Sequence, residues 1–231
     1  MARRVSSRTR LRLLAALLLI VMIGGGFAWW HLHHWRPDRQ AYPVQGVEIS
    51  GEDGEVSWKA IKAIGADFAY IDASASAFAR DPAFVRNLEA AREAGLQVGA
   101  VHRYDPCQPA DKQAGNFVTV VPRDSKLLPP AVELDRLGDQ CPMPVRDAAI
   151  ESELTTFLNQ VETHTGKPAI LKISERFEDR YGIAARIDRN LWLTRNRFQP
   201  DYGGRPWTLW TANSAYDSDA GEPLRWVVVQ P

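Results

Sequence analysis

Glu133 and Asp135 stand two residues apart in the segment AVELD, residues 131–135. On an extended strand that spacing puts both side chains on one face. Two carboxylates sharing a face repel each other, and the repulsion lifts the pKa of one. A raised carboxyl can act as an acid while its ionised neighbour stabilises positive charge, the division of labour that glycoside hydrolysis needs. Other polar residues close apolar runs in the same way: Glu48, Asp72, and His102 with Asp105. Each has an ordinary reading by itself. An acid can cap a helix or pair with a nearby arginine such as Arg103 or Arg136, and a single histidine is more often a hydrogen-bonded structural residue. Convergence of these residues on one mouth is the stronger signal. Most of the aromatic residues belong in a core, but Tyr104 and Trp210 are candidates for stacking on a sugar ring where they reach that mouth.

Positioning these groups requires strands, and the chain supplies them in alternation with helices. Short apolar runs at 44–49, 68–72, 96–102, 131–134 and 168–173 read as strands, and 190–194, 206–211 and 224–229 read as later, less regular ones. Helical spacing predicts helices at 56–64, 82–94, 110–120 and 147–165. Asp81 and Pro82 open the second of these, and Gly65, Gly95 and Gly166 close three of them. Such alternation implies a parallel sheet. Seven or eight strands fit a compact (β/α) TIM-like barrel that is irregular in its second half, whose functional groups sit at the C-terminal ends of the strands. An open doubly wound sheet is the alternative. No GxGxxG follows the first strand, so nothing supports a dinucleotide site.

Composition narrows the partners. The chain has 231 residues with 28 basic and 28 acidic side chains, yet the charge is unevenly spread. Residues 1–40 carry +6 and the rest −6. An acidic main domain argues against nucleic acid as ligand. Arg3, Arg4, Arg8, Arg10 and Arg12 precede an uncharged run from residue 13 to 30. At about 1.5 Å per residue that run spans roughly 27 Å, enough for a bilayer core. The basic end is expected to stay cytoplasmic, leaving the remainder exported as a single-pass inner-membrane protein with a periplasmic domain. A cleaved signal peptide, and hence secretion, is the alternative. Residues 1–40 thus read as basic tip, transmembrane helix and linker (36–43), and 41–231 as the folded domain. Cys107 and Cys141 lie in the exported part, where one disulfide is the default and two free thiols the alternative. No metal-ligand spacing occurs, and no cofactor is implied.

The domain resembles glycoside hydrolase family 25, the muramidases also called Chalaropsis-type lysozymes. GVEIS (46–50) is similar to the family's G-[IV]-D-[VI]-S, and VSWKAIKAIGADFAYIDAS (56–74) to its I-D-W…G-v-d-F-a-i-i-K-a-T run. DPAFVRNLEAAREAGLQVGAVHRY (81–104) and QAGNF (113–117) follow in family order. LPPAVELD (128–135) sits where the family has L-P-P-x-L-D-x-E, and TGKPAILKIS (165–174) where it has t-G..p-i-i-Y-t. NLWLTRN and RPWTLWTAN close the series. The resemblance implies a (β/α) barrel cleaving the β-1,4 bond between N-acetylmuramic acid and N-acetylglucosamine in peptidoglycan glycan strands. It places the proton donor at Asp135, the other acid of the pair at Glu133 and the strand-one acid at Glu48. His102, Asp72, Tyr104 and Trp210 become candidate substrate contacts.

This chain departs from the family pattern at the site. All three acids keep their charge but change length, and one methylene moves a carboxyl by about 1.5 Å. A displacement near 1 Å can cost on the order of a hundredfold in rate. The family's Lys-x-Thr-Glu-Gly is DASAS (72–76) here, Gly51 replaces a His, Val101 a Tyr, and RWVVV (225–229) a Val-Asp-x-Asn segment. The alternative to a hydrolase is therefore a peptidoglycan-binding pseudoenzyme.

Overall fold

The computed structural model describes residues 7–221 and 223–231. They fall into two units, one ending at Trp35 and one running from Arg36 to Pro231. The first is a single helix, α1 (Ser7–His33), whose stretch Arg12–His33 is long and apolar enough to cross a membrane and has none of its length buried in protein. Of the basic tip, Arg3 and Arg4 lie outside the described residues.

The second unit is a closed barrel. Its elements, in chain order, are β1 (Gln45–Ile49), α2 (Trp58–Ala63), β2 (Phe68–Ala75), β3 (Ala79–Arg80), α3 (Phe84–Glu93), β4 (Gln97–Arg103), α4 (Ala110–Val120), β5 (Ala131–Leu134), α5 (Asp147–Thr165), β6 (Ile170–Ile173), α6 (Glu175–Tyr181), α7 (Ile183–Arg186), β7 (Asn190–Thr194), β8 (Leu209–Tyr216) and β9 (Leu224–Val229). The barrel order is β1-β9-β8-β7-β6-β5-β4-β2, closed by β1 pairing with β2, and β3 is a two-residue hairpin arm on β2. The expected parallel barrel holds from β1 through β8, but β9 runs antiparallel to both its neighbours. Among the described residues, no helix separates β7 from β8 or β8 from β9, which is how eight barrel strands fit in this length.

Two local expectations change. Asp81 does not cap α3 by its side chain; its Oδ1 accepts from Ala83 N at 2.7 Å and its Oδ2 from Gly51 N at 2.5 Å, tying the β1 exit loop to the start of α3. Residues 36–43, read as a linker, bond to the barrel unit. Arg36 donates to the Ile64 carbonyl and lies 5.0 Å from the Trp226 ring, and Arg39 pairs with Asp67.

The strand period of two sorts the barrel interior into layers. The floor is apolar and includes Phe68, Tyr70, Val101, Ala131, Ile170, Trp192 and Val227. Tyr70 and Trp192 pack with ring centroids 5.0 Å apart. A Cβ on Gly99 would lie 2.2 Å from the Tyr70 ring, so this strand position admits only glycine if that ring is to fill the barrel. Two residues nearer the mouth, six of the eight barrel strands carry charge on the same inward face, and β7 and β8 carry Thr194 and Thr211.

Candidate active site

Those charged positions form one layer: Glu48 two after Gly46, Asp72 two after Tyr70, Arg103 two after Val101, Glu133 two after Ala131, Lys172 two after Ile170, and Arg225 two before Val227 on the reversed strand. Three acids meet three bases. Arg103 lies beside Glu133 in the strand register, Glu133 beside Lys172, and Glu48 beside Arg225.

Lys172 is the centre of this layer. Its Nζ donates across the barrel to Glu48 Oε1 at 2.5 Å and to its neighbour Glu133 Oε1 at 2.8 Å, and it lies 5.2 Å from the Trp192 ring. Burial alone pulls the ammonium pKa down. The charges of Glu48 and Glu133 outweigh burial and hold it above its usual range. Glu48 is 2% exposed, and its second oxygen has only Arg225 Nε, at ion-pair distance of 3.4 Å. Arg225 is itself held by both oxygens of Asp53, at 3.1 and 2.7 Å. Glu133 is more open, and its Oε2 lies 3.7 Å from Arg103 Nε.

Asp72 differs from these acids. Arg103 donates twice to one oxygen, Oδ2, at 2.7 and 2.5 Å, while buried Oδ1 has no hydrogen-bond partner. Burial first, and the charge of Glu48 second, push its pKa up to about 7 against the pull of Arg103 and Lys172. A proton on Oδ1 fits that geometry, because Oδ2 already takes both guanidinium donors.

Asp135, just past the end of β5, faces the same mouth. Both its oxygens accept from Arg176 on α6, Oδ1 from Nε at 2.7 Å and Oδ2 from Nη2. Both partners are about half exposed, 49% for Asp135 and 52% for Arg176. Glu48, Asp72, Glu133 and Asp135 thus line one open groove of about 540 Å³. It continues on the β6–β8 side into a cavity of about 370 Å³ that shares Glu48, Glu133, Asp135, Lys172 and Arg225. On the other side it adjoins a cavity of about 520 Å³ that shares Glu52, Asp72 and Arg103. The result is a channel across the C-terminal ends of the strands.

The burial of two expected substrate contacts corrects their roles. His102 is fully buried beneath the sheet, stacked on Phe157 with centroids 4.7 Å apart. Gln113 donates from Nε2 to the carbonyls of Asp105 and Gln108, so its Oε1 accepts, from Asp105 N at 2.8 Å and His102 Nε2 at 3.3 Å. The histidine proton therefore sits on Nε2, and Nδ1 accepts from Ser74 Oγ at 2.8 Å. Burial lowers its pKa to about 4, so it is neutral and holds the β4 exit loop. Trp210 is 2% exposed, with Nε1 donating to the Arg195 carbonyl, and belongs to the core. Tyr104 does line the groove, and its buried hydroxyl has no hydrogen-bond partner.

The β4 and β5 exit loops are joined by the Cys107–Cys141 disulfide, with Cα atoms 5.3 Å apart. Asp105 accepts from Cys107 N at 2.9 Å and from Arg136 Nη1 at 2.7 Å, so the bridge and the ion pair fix the residue next to Asp135. Among the described residues, the one acid, Cys and His cluster tight enough for a metal is Asp105 with these two half-cystines, whose sulfurs are already bonded to each other. Sequence reasoning missed Lys172. Its signal was a lysine at an inward position of the otherwise apolar run PAILKI.

A barrel with acids gathered at the strand ends, open along a groove, is the architecture of a glycan-cleaving class of proteins. The profile of Glycosyl hydrolases family 25 matches residues 47–218, and the chain belongs to that family. It is similar to the uncharacterised protein YegX of Escherichia coli (strain K12), 25% identical over 194 residues covering 78% of this chain and 69% of that one. It is also similar to Lysozyme M1 of Streptomyces globisporus, 31% identical over 96 residues, 40% of this chain and 33% of that one. Among solved structures, a family 25 glycosyl hydrolase from Bacillus anthracis superposes with a TM-score of 0.78 at 24% identity, covering 87% of this chain and 94% of that one. The bacterial lysozyme from Streptomyces coelicolor gives 0.69 at 21% identity, covering 81% and 92%.

Proposed function

We propose that this protein is a membrane-anchored lysozyme that cuts the β-1,4 bond between N-acetylmuramic acid and N-acetylglucosamine in peptidoglycan, with α1 in the cytoplasmic membrane and the barrel on its outer side. The observation that carries this reading is the contrast between the two β5 acids on one open groove. Glu133 is bonded to buried Lys172, whereas Asp135 is held only by a half-exposed guanidinium. An exposed pair of that kind is worth about 1 kcal/mol or less. A sugar entering the groove displaces Arg176 at little cost, which leaves the Asp135 carboxyl to serve as general acid at the glycosidic oxygen. Glu133 and Glu48 supply negative charge near the oxocarbenium-like centre, and water completes hydrolysis.

One observation favours binding without cleavage. The Lys172 ammonium sits 2.5 and 2.8 Å from two of the acids, and a fixed cation there opposes a transition state that develops positive charge. Incubating the full chain in detergent with purified sacculi separates the readings. Release of soluble muropeptides that falls at least a hundredfold in Asp135→Asn supports the lysozyme. Sedimentation with sacculi but no release from either form selects the binding module. Resistance of α1 to alkaline extraction from membranes, together with an intact mass that includes residues 1–35, checks the anchor; a mature chain lacking them means a cleaved signal.

A further inference from the structure

The cavity beside the groove, about 520 Å³, lies between the β1 exit loop, the β2–β3 hairpin and the start of α3. Its size is in the range that accepts a ligand of two or three residues. Its acids are already engaged. Asp81 takes the Gly51 and Ala83 backbone N–H groups, and Asp72 takes Arg103. Glu52, with its side chain 80% exposed, faces Arg103 at 3.4 Å. Its donors are not used up. Arg80 gives Nε to Asn116 Oδ1 at 2.9 Å, which leaves the two terminal nitrogens of its guanidinium for a ligand. Arg86 has a loose contact of 3.6 Å with Glu55, both largely in water. Two guanidinium groups with spare donors thus border a cavity that opens into the groove through the shared Asp72 and Arg103 wall. Guanidinium forks of this kind match carboxylates.

We infer that this side cavity receives the acidic peptide substituent of a muramyl sugar lying in the groove, with peptide carboxylates on Arg80 and Arg86. The inference rests on the peptidoglycan reading above and adds that the substrate is peptide-bearing glycan, not bare glycan. A neutral sugar leaves the spare donors of both guanidinium groups unused, whereas a stem peptide supplies anionic groups a short reach from the sugar ring.

The test is calorimetric binding of two probes to the full chain in detergent, carrying Asp135→Asn so that no cleavage intervenes. One probe is soluble peptidoglycan fragments with their peptides, the other the same fragments stripped by an amidase. The expected result is at least tenfold tighter binding of the peptide-bearing probe. Arg86→Glu reduces that preference at least threefold, and Arg80→Gln with Arg86→Glu abolishes it, both leaving affinity for stripped glycan unchanged, with circular dichroism checking that both variants fold. Arg86→Lys retains most of the preference. Equal affinity for the two probes, or a preference that survives in the double variant, overturns the side-cavity assignment alone. Binding of neither probe overturns the glycan reading and this inference with it.

Discussion

Replacing Lys172 by methionine tests the charged layer directly. Methionine keeps much of the aliphatic stem against Trp192 and removes the ammonium that bonds both Glu48 and Glu133. The layer then holds three acids and two bases. Removing one partner of a buried ion pair costs about 3–5 kcal/mol, because the remaining charge stays uncompensated. Arg225 at 3.4 Å from Glu48 and Arg103 at 3.7 Å from Glu133 take up part of the load, which favours the lower figure, about 3 kcal/mol. For a domain of this size that corresponds to roughly 6–12 °C in melting temperature. The pH dependence gives a second reading. With the cation gone, Asp72 loses one of the two charges that pull its carboxyl pKa down, so burial and the charge of Glu48 hold it still further above its unfolded value. The folded variant then binds more protons than the unfolded one, so its stability rises as pH falls toward the unfolded aspartate pKa near 3.9. Melting of wild type and Lys172→Met, followed by circular dichroism from pH 8 to pH 5, should show a deficit that is largest at pH 8 and shrinks on acidification. A variant within 2 °C of wild type at pH 8, or a deficit independent of pH, would refute the claim that Lys172 holds the two acids together.

Three further outcomes are expected. Arg176→Ala should change stability by less than about 1 kcal/mol, because the pair it breaks is half exposed, and should leave muropeptide release within tenfold of wild type; loss of all release would show that the arginine is required and not displaced. Breaking the Cys107–Cys141 bridge, which spans 34 residues, should lower stability by about 4 kcal/mol, measured by chemical denaturation of Cys107→Ser/Cys141→Ser. For Asp72, whose folded pKa of about 7 lies above its unfolded value, wild-type stability should fall between about pH 4 and pH 7 relative to Asp72→Asn, which has no such titration; parallel stability curves for the two would place that proton elsewhere.

The strands were legible because their inward residues alternate in a way that only one register satisfies. AVEL and VQGVEI place Glu133 and Glu48 on the same face as Ala131 and Gly46, and both acids do reach the barrel mouth. Strand β9 was visible as an element but not in its direction, since an apolar run such as RWVVV reads the same parallel or antiparallel. The pairing of side chains was not legible at all. Lys172 meets Glu48 across 124 positions of chain, a contact set by barrel closure and not by any local pattern. His102 and Trp210 were misplaced for a related reason. A strand-end histidine can point inward or toward the helices, and a bulge in β2 between Asp72 and Ser74 keeps Ser74 opposite His102 on the outer face.

The departures from the family pattern make sense as one set. The position of the family's strand-two Lys holds Asp72, and the position of its strand-six Tyr holds Lys172. By that resemblance, the β2 side of the mouth carries an acid here and the β6 side a cation. The family's Glu three residues past that Lys is Ala75 here, so one acid was lost where another was gained, and the net charge of these three positions is unchanged. Charges buried in the barrel layer need this kind of compensation, because a buried ion without a partner is costly. The same rearrangement explains the contrast between the two acids of the Glu133–Asp135 pair. Lys172, beside β5, binds Glu133 into the buried charged layer, and Asp135, on the solvent side, pairs with the half-exposed Arg176.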